Sequence, residues 1–244
     1  MRGPRPGGPL ARPDRRRHRT APAPPGSALA PGGIPGNSLR IADDRRTYAT
    51  TVGSQPIDLP VVQIADGVGI ALMICVDHGV AFTERAGREL AGHLAPARPE
   101  IVVSVATLGI PLAIEVSRAL SLDDYVILHK TPKTHLGDTW VEPLRSITTA
   151  AAQTLRLDPA RVAAVRGRRV ALVDDVISTG ASVAAALSLL RRVGADPVVV
   201  GAFLTEGSGW RTSLGADAER VRSLGSIPLF RFGPDGSVTE DWDA

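Results

Sequence analysis

The chain has 244 residues, of which 43% are hydrophobic and 22% charged, a balance typical of one globular α/β domain with a full core. Its single cysteine excludes an intramolecular disulfide framework and fits a reducing, cytoplasmic location. The net charge of +3 conceals two regions of opposite sign, because residues 1–35 hold seven arginines and one acidic residue and the remainder therefore carries a net −3.

The N-terminal segment 1–38 is predicted to be a disordered tail, because it is rich in arginine, proline and glycine and has no apolar periodicity. An arm that binds nucleic acid is the alternative, but no aromatic residue alternates with the arginines, so we expect no nucleic-acid partner. No apolar segment of the kind found in secretory signals follows the arginines. The longest apolar run, Val68–Val76, is too short to cross a bilayer, so no membrane association is expected.

Residues 39–244 are predicted to form one domain in which strands and helices alternate. The predicted strands are Leu59–Ile64, Ile70–Val76, Ile101–Val105, Tyr125–Leu128, Val170–Val173, Val198–Leu204 and Ile227–Phe232, and the predicted helices are Thr83–Leu94, Gly109–Leu120 and 181–193. This alternation indicates an α/β fold with a mostly parallel central sheet and helices on both faces. Ligands of such sheets bind at the carboxyl ends of the strands, so the segments after residues 105, 128 and 173 are expected to meet.

The segment after Val170–Val173 carries the most chemical information. Asp174 and Asp175 come where the predicted strand ends, and a turn of small residues separates them from the next helix; this turn consists of Ser178, Thr179, Gly180, Ala181 and Ser182. Free N–H groups at a helix N-terminus, reached through a turn without bulky side chains, favour a phosphate. The two carboxylates can accept hydrogen bonds from vicinal hydroxyls or help to hold a divalent cation. Together, the turn and the acids suit a ribose 5-phosphate group.

The sequence LVDDVISTGAS, residues 172–182, resembles the signature of type I phosphoribosyltransferases that binds 5-phosphoribosyl 1-pyrophosphate (PRPP). Across roughly residues 55–205 the resemblance is greater to the adenine and xanthine members than to the orotate and uracil members. It implies that 178–182 bind the 5-phosphate and that Asp174 and Asp175, as catalytic residues, bind the ribose hydroxyls and Mg²⁺. An ordinary strand, turn and helix with two solvated aspartates is the alternative.

Two further segments are similar to ligand-binding segments of this family. The turn at Thr107, Leu108 and Gly109 corresponds to one that binds the pyrophosphate of PRPP through backbone N–H groups. Adenine-type members usually have an acid and an arginine in this turn, where the present chain has Ala106 and Leu108. Lys130 and Lys133 open a stretch, 130–148, that is similar to the family's mobile lid, and the resemblance implies that they neutralise the leaving pyrophosphate. A plain turn and a solvated loop are the alternatives.

The resemblance implies a purine phosphoribosyltransferase that moves ribose 5-phosphate from PRPP to a nucleobase, releases pyrophosphate, uses Mg²⁺ and forms a homodimer. The first alternative is a non-catalytic regulator that binds PRPP; such regulators usually carry a helix-turn-helix, and residues 1–58 contain no helix pair. The second is a transferase for a non-purine acceptor. Phe203, Trp210 and residues 57–64 are candidates for a small hood over the base, and they are equally candidates for the core.

Overall fold

A computed structural model describes residues 37–42, 45–131, 140–144 and 153–244 of the chain. The described strands are β1 (Ser38–Ala42), β2 (Arg45–Val52), β3 (Gln55–Ala65), β4 (Val68–Ala71), β5 (Ile101–Val105), β6 (Tyr125–Leu128), β7 (Trp140–Leu144), β8 (Gln153–Leu157), β9 (Arg169–Ile177), β10 (Asp196–Glu206), β11 (Val221–Ile227), β12 (Leu229–Phe232) and β13 (Val238–Asp241). The described helices are α1 (Val80–Leu94), α2 (Gly109–Ala119), α3 (Val162–Val165), α4 (Ala181–Arg192) and α5 (Trp210–Leu214).

A five-stranded parallel sheet forms the centre of the fold, in the order β11-β10-β9-β5-β6. Its strands are apolar because both faces are covered, and every residue of β5 is buried. This arrangement confirms the predicted α/β fold. The connection from β5 through α2 to β6 runs towards one edge of the sheet, and the connection from β9 through α4 to β10 runs towards the other. The connections thus proceed in opposite directions along the sheet on either side of the boundary between β5 and β9, and open parallel sheets bind ligands at such a boundary.

Alternate residues of the central strands enter two separate hydrophobic cores. Val103 of β5 and Leu172 of β9 pack on the face covered by α4. Their neighbours Val102 and Ala171 pack on the opposite face, with α1, α2 and the residues of the second sheet. Because side chains alternate between the two faces of a strand, each strand contributes apolar residues to both cores. Helices can therefore pack on both faces of the sheet, as the fold class requires.

A six-stranded antiparallel sheet, ordered β1-β2-β3-β4-β12-β13, was not predicted. The predicted strands 59–64 and 227–232 were assigned to the mostly parallel sheet, but β3 and β12 belong to this second sheet. Pro228 divides the predicted strand 227–232, because proline has no N–H to continue a ladder; Ile227 ends β11 in the parallel sheet and Leu229 begins β12.

Two other predicted boundaries are wrong. The strand predicted at 70–76 ends at Ala71, and Cys75–His78 form a turn of 3-10 helix. Met73 and Cys75 are buried in the second core, so burial rather than strand pairing accounts for the apolar run. The strand predicted at 170–173 is longer than expected, because β9 continues to Ile177 alongside β10. Asp174 and Asp175 therefore lie inside the strand and not after it.

The predicted lid is described in part. β7 pairs antiparallel with β8, and this pair lies on α4: Glu142 of β7 accepts a hydrogen bond from Ser188 Oγ at 2.9 Å and forms an ion pair with Arg192. The proline in β7 and the absence of a clear apolar period explain why this strand was not predicted. Lys133 and the end of the predicted lid, 145–148, lie outside the described residues, as do residues 1–36 of the predicted tail. Among the helices that the structure describes, none has the length and apolar character needed to span a bilayer.

Candidate active site

Asp174 and Asp175 lie side by side near the carboxyl end of the central strand β9. Oδ1 of Asp174 accepts a hydrogen bond from the backbone N–H of Asp175 at 3.1 Å. Burial raises the pKa of Asp174 well above its usual value, and the charge of Asp175 raises it further. Burial also raises the pKa of Asp175. Lys130, which follows β6, acts in the opposite direction on both carboxyls. Two adjacent, partly buried acids of this kind can accept hydrogen bonds or help to bind a cation.

The predicted pyrophosphate turn meets this acid pair at the N-terminus of α2. Oγ of Ser104, the buried polar residue of β5, donates to the backbone carbonyl of Val173 at 2.7 Å and so links β5 to β9. A Cβ atom on Gly109 would lie 2.1 Å from that Oγ and 3.2 Å from Oδ1 of Asp174. Only glycine therefore fits at the first residue of α2, and its absence of a side chain brings the turn against the carboxylate.

The turn itself, Ala106–Leu108, leaves Thr107 exposed at the edge of the sheet. The peptide bond between Ala106 and Thr107 is cis. On its inner side, Cys75 Sγ donates to the carbonyl of Leu108 at 3.0 Å. Burial and, after it, the charge of Asp175 raise the pKa of the Cys75 thiol to about 11, so the thiol stays protonated near neutral pH and serves as a small buried donor.

The turn at 178–182 is held in place by Gly180. This residue has a φ of +77°, in the left-handed region that favours glycine, and a Cβ there would lie 3.1 Å from the carbonyl oxygen of Trp210. Helix α4 begins at the next residue, Ala181, and its first turn faces the sheet edge that also holds the acid pair. Thr179 is exposed beside it. The N–H of Ala181 donates to Thr179 Oγ1 at 3.4 Å, and the other N–H groups of the first turn of α4 are presented at the edge where Asp174 and Asp175 lie.

Sequence reasoning missed Glu206, the last residue of β10. Only 4% of its surface is exposed, and Ser178 Oγ donates a hydrogen bond to its Oε2 at 2.5 Å. Burial raises the pKa of Glu206, while the bond from Ser178 lowers it. A signal was present in the sequence, since Glu206 is the first charged residue after the apolar run 198–204, at the same sheet edge as the acid pair. Ser104 was missed as well; it is the polar residue in an otherwise apolar strand.

A cavity of about 380 Å³ lies beside the turn at 178–182. It is bounded by Thr179 and Ala181, extends along α4 to Ser188, and reaches Glu142 of β7 and Ser213 of α5. The hydroxyl groups along its wall and the small alanine side chains of α4 leave room for a polar ligand on this side of the turn.

The structure brings together most of the residues that the sequence indicated. Thr107, Leu108 and Gly109, the acid pair, the turn 178–182 and Lys130 all lie at the carboxyl ends of β5, β6 and β9. Lys133 lies outside the described residues. Phe203 and Trp210 are 0% and 3% exposed and belong to the two cores, Phe203 in edge-to-face contact with Phe82, so neither presents a ring to a flat ligand.

Comparison with known proteins identifies a family for most of this region. Residues 83–220, more than half of the chain, match the phosphoribosyl transferase domain. The chain is 31% identical to an adenine phosphoribosyltransferase of Rhodospirillum centenum over 118 residues, which cover 48% of this chain and 65% of that protein, slightly under two thirds of its length. It is 32% identical to a hypoxanthine/guanine phosphoribosyltransferase of Methanococcus maripaludis over 137 residues, which cover 56% of this chain and 68% of the relative.

Solved structures show the same fold at lower identity. The adenine phosphoribosyltransferase of Thermoanaerobacter pseudethanolicus superposes with a TM-score of 0.56 at 16% identity, covering 69% of this chain and 95% of that one. The enzyme of Giardia lamblia, solved with 9-deazaadenine, gives a TM-score of 0.56 at 20% identity and covers 68% and 93%. The matched residues 83–220 contain the acid pair, both turns and Lys130, so family and site coincide along the sequence. By its sequence and its fold, this chain belongs to the phosphoribosyl transferase domain family.

Proposed function

We propose that the protein transfers ribose 5-phosphate from PRPP to a ring nitrogen of a nucleobase and releases pyrophosphate. The observation that carries this proposal is a close approach: the N-terminus of α2 lies against Asp174 of β9, the strand that leads into the turn at 178–182. A single ligand fits this arrangement if it carries a phosphate at one end of a sugar diol and a pyrophosphate at the other. Membership of the family supports the same ligand.

The 5-phosphate is assigned to the turn at 178–182. Backbone N–H groups of Thr179, Gly180, Ala181 and Ser182 at the start of α4 bind an anion, and the partial positive charge of the helix terminus adds to the attraction. The exposed hydroxyl of Thr179 supplies a further donor. The Ser178 hydroxyl is already bonded to Glu206, so Ser178 contributes through its backbone N–H.

Asp174 and Asp175 are assigned to the 2- and 3-hydroxyls of the ribose. Charge develops on the ribose when its bond to pyrophosphate breaks and the sugar becomes oxocarbenium-like, and two carboxylates nearby stabilise that positive charge. The pyrophosphate leaves towards the N–H groups of Thr107, Leu108 and Gly109 and towards Lys130. Lys133, which precedes the rest of the predicted lid, is proposed as a second cation there. Catalysis then depends on positioning and preorganised charge.

Mg²⁺ is proposed as the metal that accompanies PRPP. The acid pair fits this role, because Mg²⁺ is usually held by one or two carboxylates together with substrate oxygens and water. Burial and mutual repulsion raise the pKa of Asp174, and a divalent cation would keep both carboxylates ionised. Among the described residues there is no group of three or more potential ligands, so the acid pair would hold the ion jointly with the substrate. When bound, the ion would neutralise charge on the pyrophosphate.

A purine is proposed as the acceptor, because the relatives compared above are named as adenine and hypoxanthine/guanine phosphoribosyltransferases. These names also favour an enzyme over a PRPP-binding regulator. A homodimer in the cytoplasm is proposed on the family resemblance and the single buried cysteine.

The test is incubation of the purified chain with Mg²⁺, PRPP and separate purine and pyrimidine bases, with pyrophosphate release as the readout. Release that requires adenine, hypoxanthine, guanine or xanthine supports the proposal. PRPP binding in a calorimeter without release on any base favours the regulator, and release only with a pyrimidine base overturns the assignment of a purine.

A further inference from the structure

The side chains of Glu206 and Ser178 form a partly buried hydrogen bond that the proposed binding of PRPP does not use. Thr205 of β10 is paired with Ile177 of β9, so Glu206 and Ser178 come next on neighbouring parallel strands. Glu206 is 4% exposed, whereas Ser178 is half-buried and faces the sheet edge. The carboxylate of Glu206 is therefore shielded from water, and its hydrogen bond with the Ser178 hydroxyl links it to the site.

The direction of this hydrogen bond determines what Ser178 can do. Its hydroxyl proton is donated to Glu206 Oε2 at 2.5 Å, so its oxygen can take part in a further hydrogen bond only as an acceptor. A phosphate oxygen needs a donor, and the Ser178 hydroxyl no longer has one to give. An N–H group of a ligand is the partner that this oxygen can accept.

The surroundings leave Glu206 able to take up a proton. Burial raises its pKa, and the bond from Ser178 is the interaction that opposes this. The two strands that pair with β10 carry the charged residues Arg169, Asp174 and Asp175 on β9 and Arg222 on β11. In the described part of the chain, none of these forms an ion pair with Glu206. A carboxylate with a raised pKa and no cationic partner is suited to act as a general base.

The reaction proposed above requires such a base. A nucleobase that attacks the sugar through a ring nitrogen must lose the proton carried by that ring, and Asp174 and Asp175 are assigned to the ribose. We propose that Ser178 accepts this proton from the nucleobase while passing its own hydroxyl proton to Glu206, an inference that rests on the proposed function.

The step balances within the site. The ring nitrogen forms a bond to C1 of the ribose, and the bond from C1 to pyrophosphate breaks with its electron pair on the leaving oxygen. The N–H bond of the base breaks, Ser178 Oγ gains that proton, and the former Ser178 proton forms the carboxylic acid of Glu206. The products are the nucleotide, pyrophosphate and one proton held on Glu206, which returns to water between turnovers.

Glu206→Gln is the primary test, because the amide oxygen still accepts from Ser178 but cannot take up a proton. We expect kcat to fall by about 10²-fold, the usual contribution of a general base, with PRPP affinity unchanged in a calorimeter. Because the ionised carboxylate is the active form, wild-type kcat should fall as the pH drops through the pKa of Glu206. That acidic limb should be absent from the profile of Glu206→Gln.

Matched variants separate this role from a structural one. Glu89→Gln alters another carboxylate that accepts a 2.5 Å hydrogen bond from a serine, Ser54. Glu89 lies on α1 and is not assigned to the site, so the kcat of this variant should equal that of wild type. Ser178→Ala keeps the carboxylate but removes the relay, so it should lower kcat as Glu206→Gln does. Glu206→Asp should restore part of kcat together with the acidic limb.

The possible outcomes are distinct. An active wild type whose kcat and pH profile are unchanged in Glu206→Gln overturns the relay and leaves the proposed function standing. Equal losses of PRPP affinity and kcat at every pH, with the acidic limb retained, also overturn it, because they indicate support of the turn. A wild type that binds PRPP but turns over no base overturns the proposed function and the relay with it.

Discussion

Gly109, the first residue of α2, lies against the carboxylate of Asp174 in β9, and a Cβ atom at this position would be only 3.2 Å from Oδ1. These residues are far apart in the sequence but adjacent at the boundary between β5 and β9, where the connections change direction along the sheet. The contact joins the turn assigned to pyrophosphate with the acid assigned to the ribose. A substitution at Gly109 should therefore affect both the pyrophosphate turn and the position of Asp174.

Gly109→Ala should destabilise the protein by about 1–3 kcal/mol and weaken PRPP binding, because the new Cβ would meet Ser104 Oγ at 2.1 Å. Urea unfolding and calorimetry with PRPP measure the two effects. Gly92→Ala in α1 is the control: no atom lies within 4 Å of its Cβ, and it should stabilise the helix by about 0.5–1 kcal/mol. Equal stability and affinity in Gly109→Ala and wild type would contradict the close approach.

Gly180→Ala should lower stability by about 1–2 kcal/mol, the cost of a left-handed conformation in a residue with a Cβ. It should also weaken PRPP binding, because the Cβ would press on the carbonyl of Trp210 at 3.1 Å and shift the turn. Gly167→Ala is matched in conformation, with a φ of +71°, but has no atom within 4 Å. It should lose similar stability and keep its PRPP affinity; a parallel loss of affinity in both variants would count against the turn as the phosphate site.

The double variant Asp174→Asn, Asp175→Asn should lower kcat by a factor of about 10²–10³, the usual consequence of removing preorganised charge from a site. Asparagine has nearly the same shape as aspartate, so the circular dichroism spectrum of the double variant should match that of wild type. Asp58→Asn, which breaks an exposed ion pair with Arg40 in the antiparallel sheet, serves as the control and should retain full activity. Near-normal turnover by the folded double variant would refute the roles assigned to the acids.

Thr179→Val should weaken PRPP binding by about tenfold, since a hydrogen bond to a charged group contributes roughly 1.5–3 kcal/mol. The exposed position of Thr179 means that unfolding stability should change little. Thr239→Val on the exposed side of β13 provides the matched control with unaltered affinity. Identical dissociation constants for Thr179→Val and wild type would remove the side chain from the phosphate site.

Glu206 should make folding stability depend on pH. Its pKa is raised by burial in the folded state, so the folded protein binds more protons than the unfolded chain between the two pKa values. Stability should therefore fall as the pH rises from the ordinary glutamate pKa through the raised one. Glu206→Gln should abolish this dependence and be more stable than wild type at neutral pH, as thermal melts across pH without ligand would reveal. A wild-type melting temperature that rises over this window relative to the variant would contradict the assignment.

The sequence was sufficient for four strands of the central sheet, β5, β6, β9 and β10, because each contains a continuous apolar run, as at 101–105. It did not predict β11, in which polar residues interrupt the apolar ones. It also indicated the acid pair and the turn after it, since a turn of small residues between a strand and a helix is typical of a phosphate-binding site. It failed for β1, β2 and the antiparallel sheet. Those strands mix threonines and arginines with few apolar residues, and their register depends on pairing that the apolar pattern does not show.

What the sequence by itself determined is local: which segments are apolar, where a turn has no bulk, and which acids adjoin it. What only the tertiary structure decided is adjacency. Gly109 meets Asp174 because β5 and β9 are neighbours, and Ser178 meets Glu206 because β9 and β10 are neighbours in parallel register. Neither pairing follows from spacing along the chain, because long-range strand order is set by the packing of the two cores on opposite faces of the sheet.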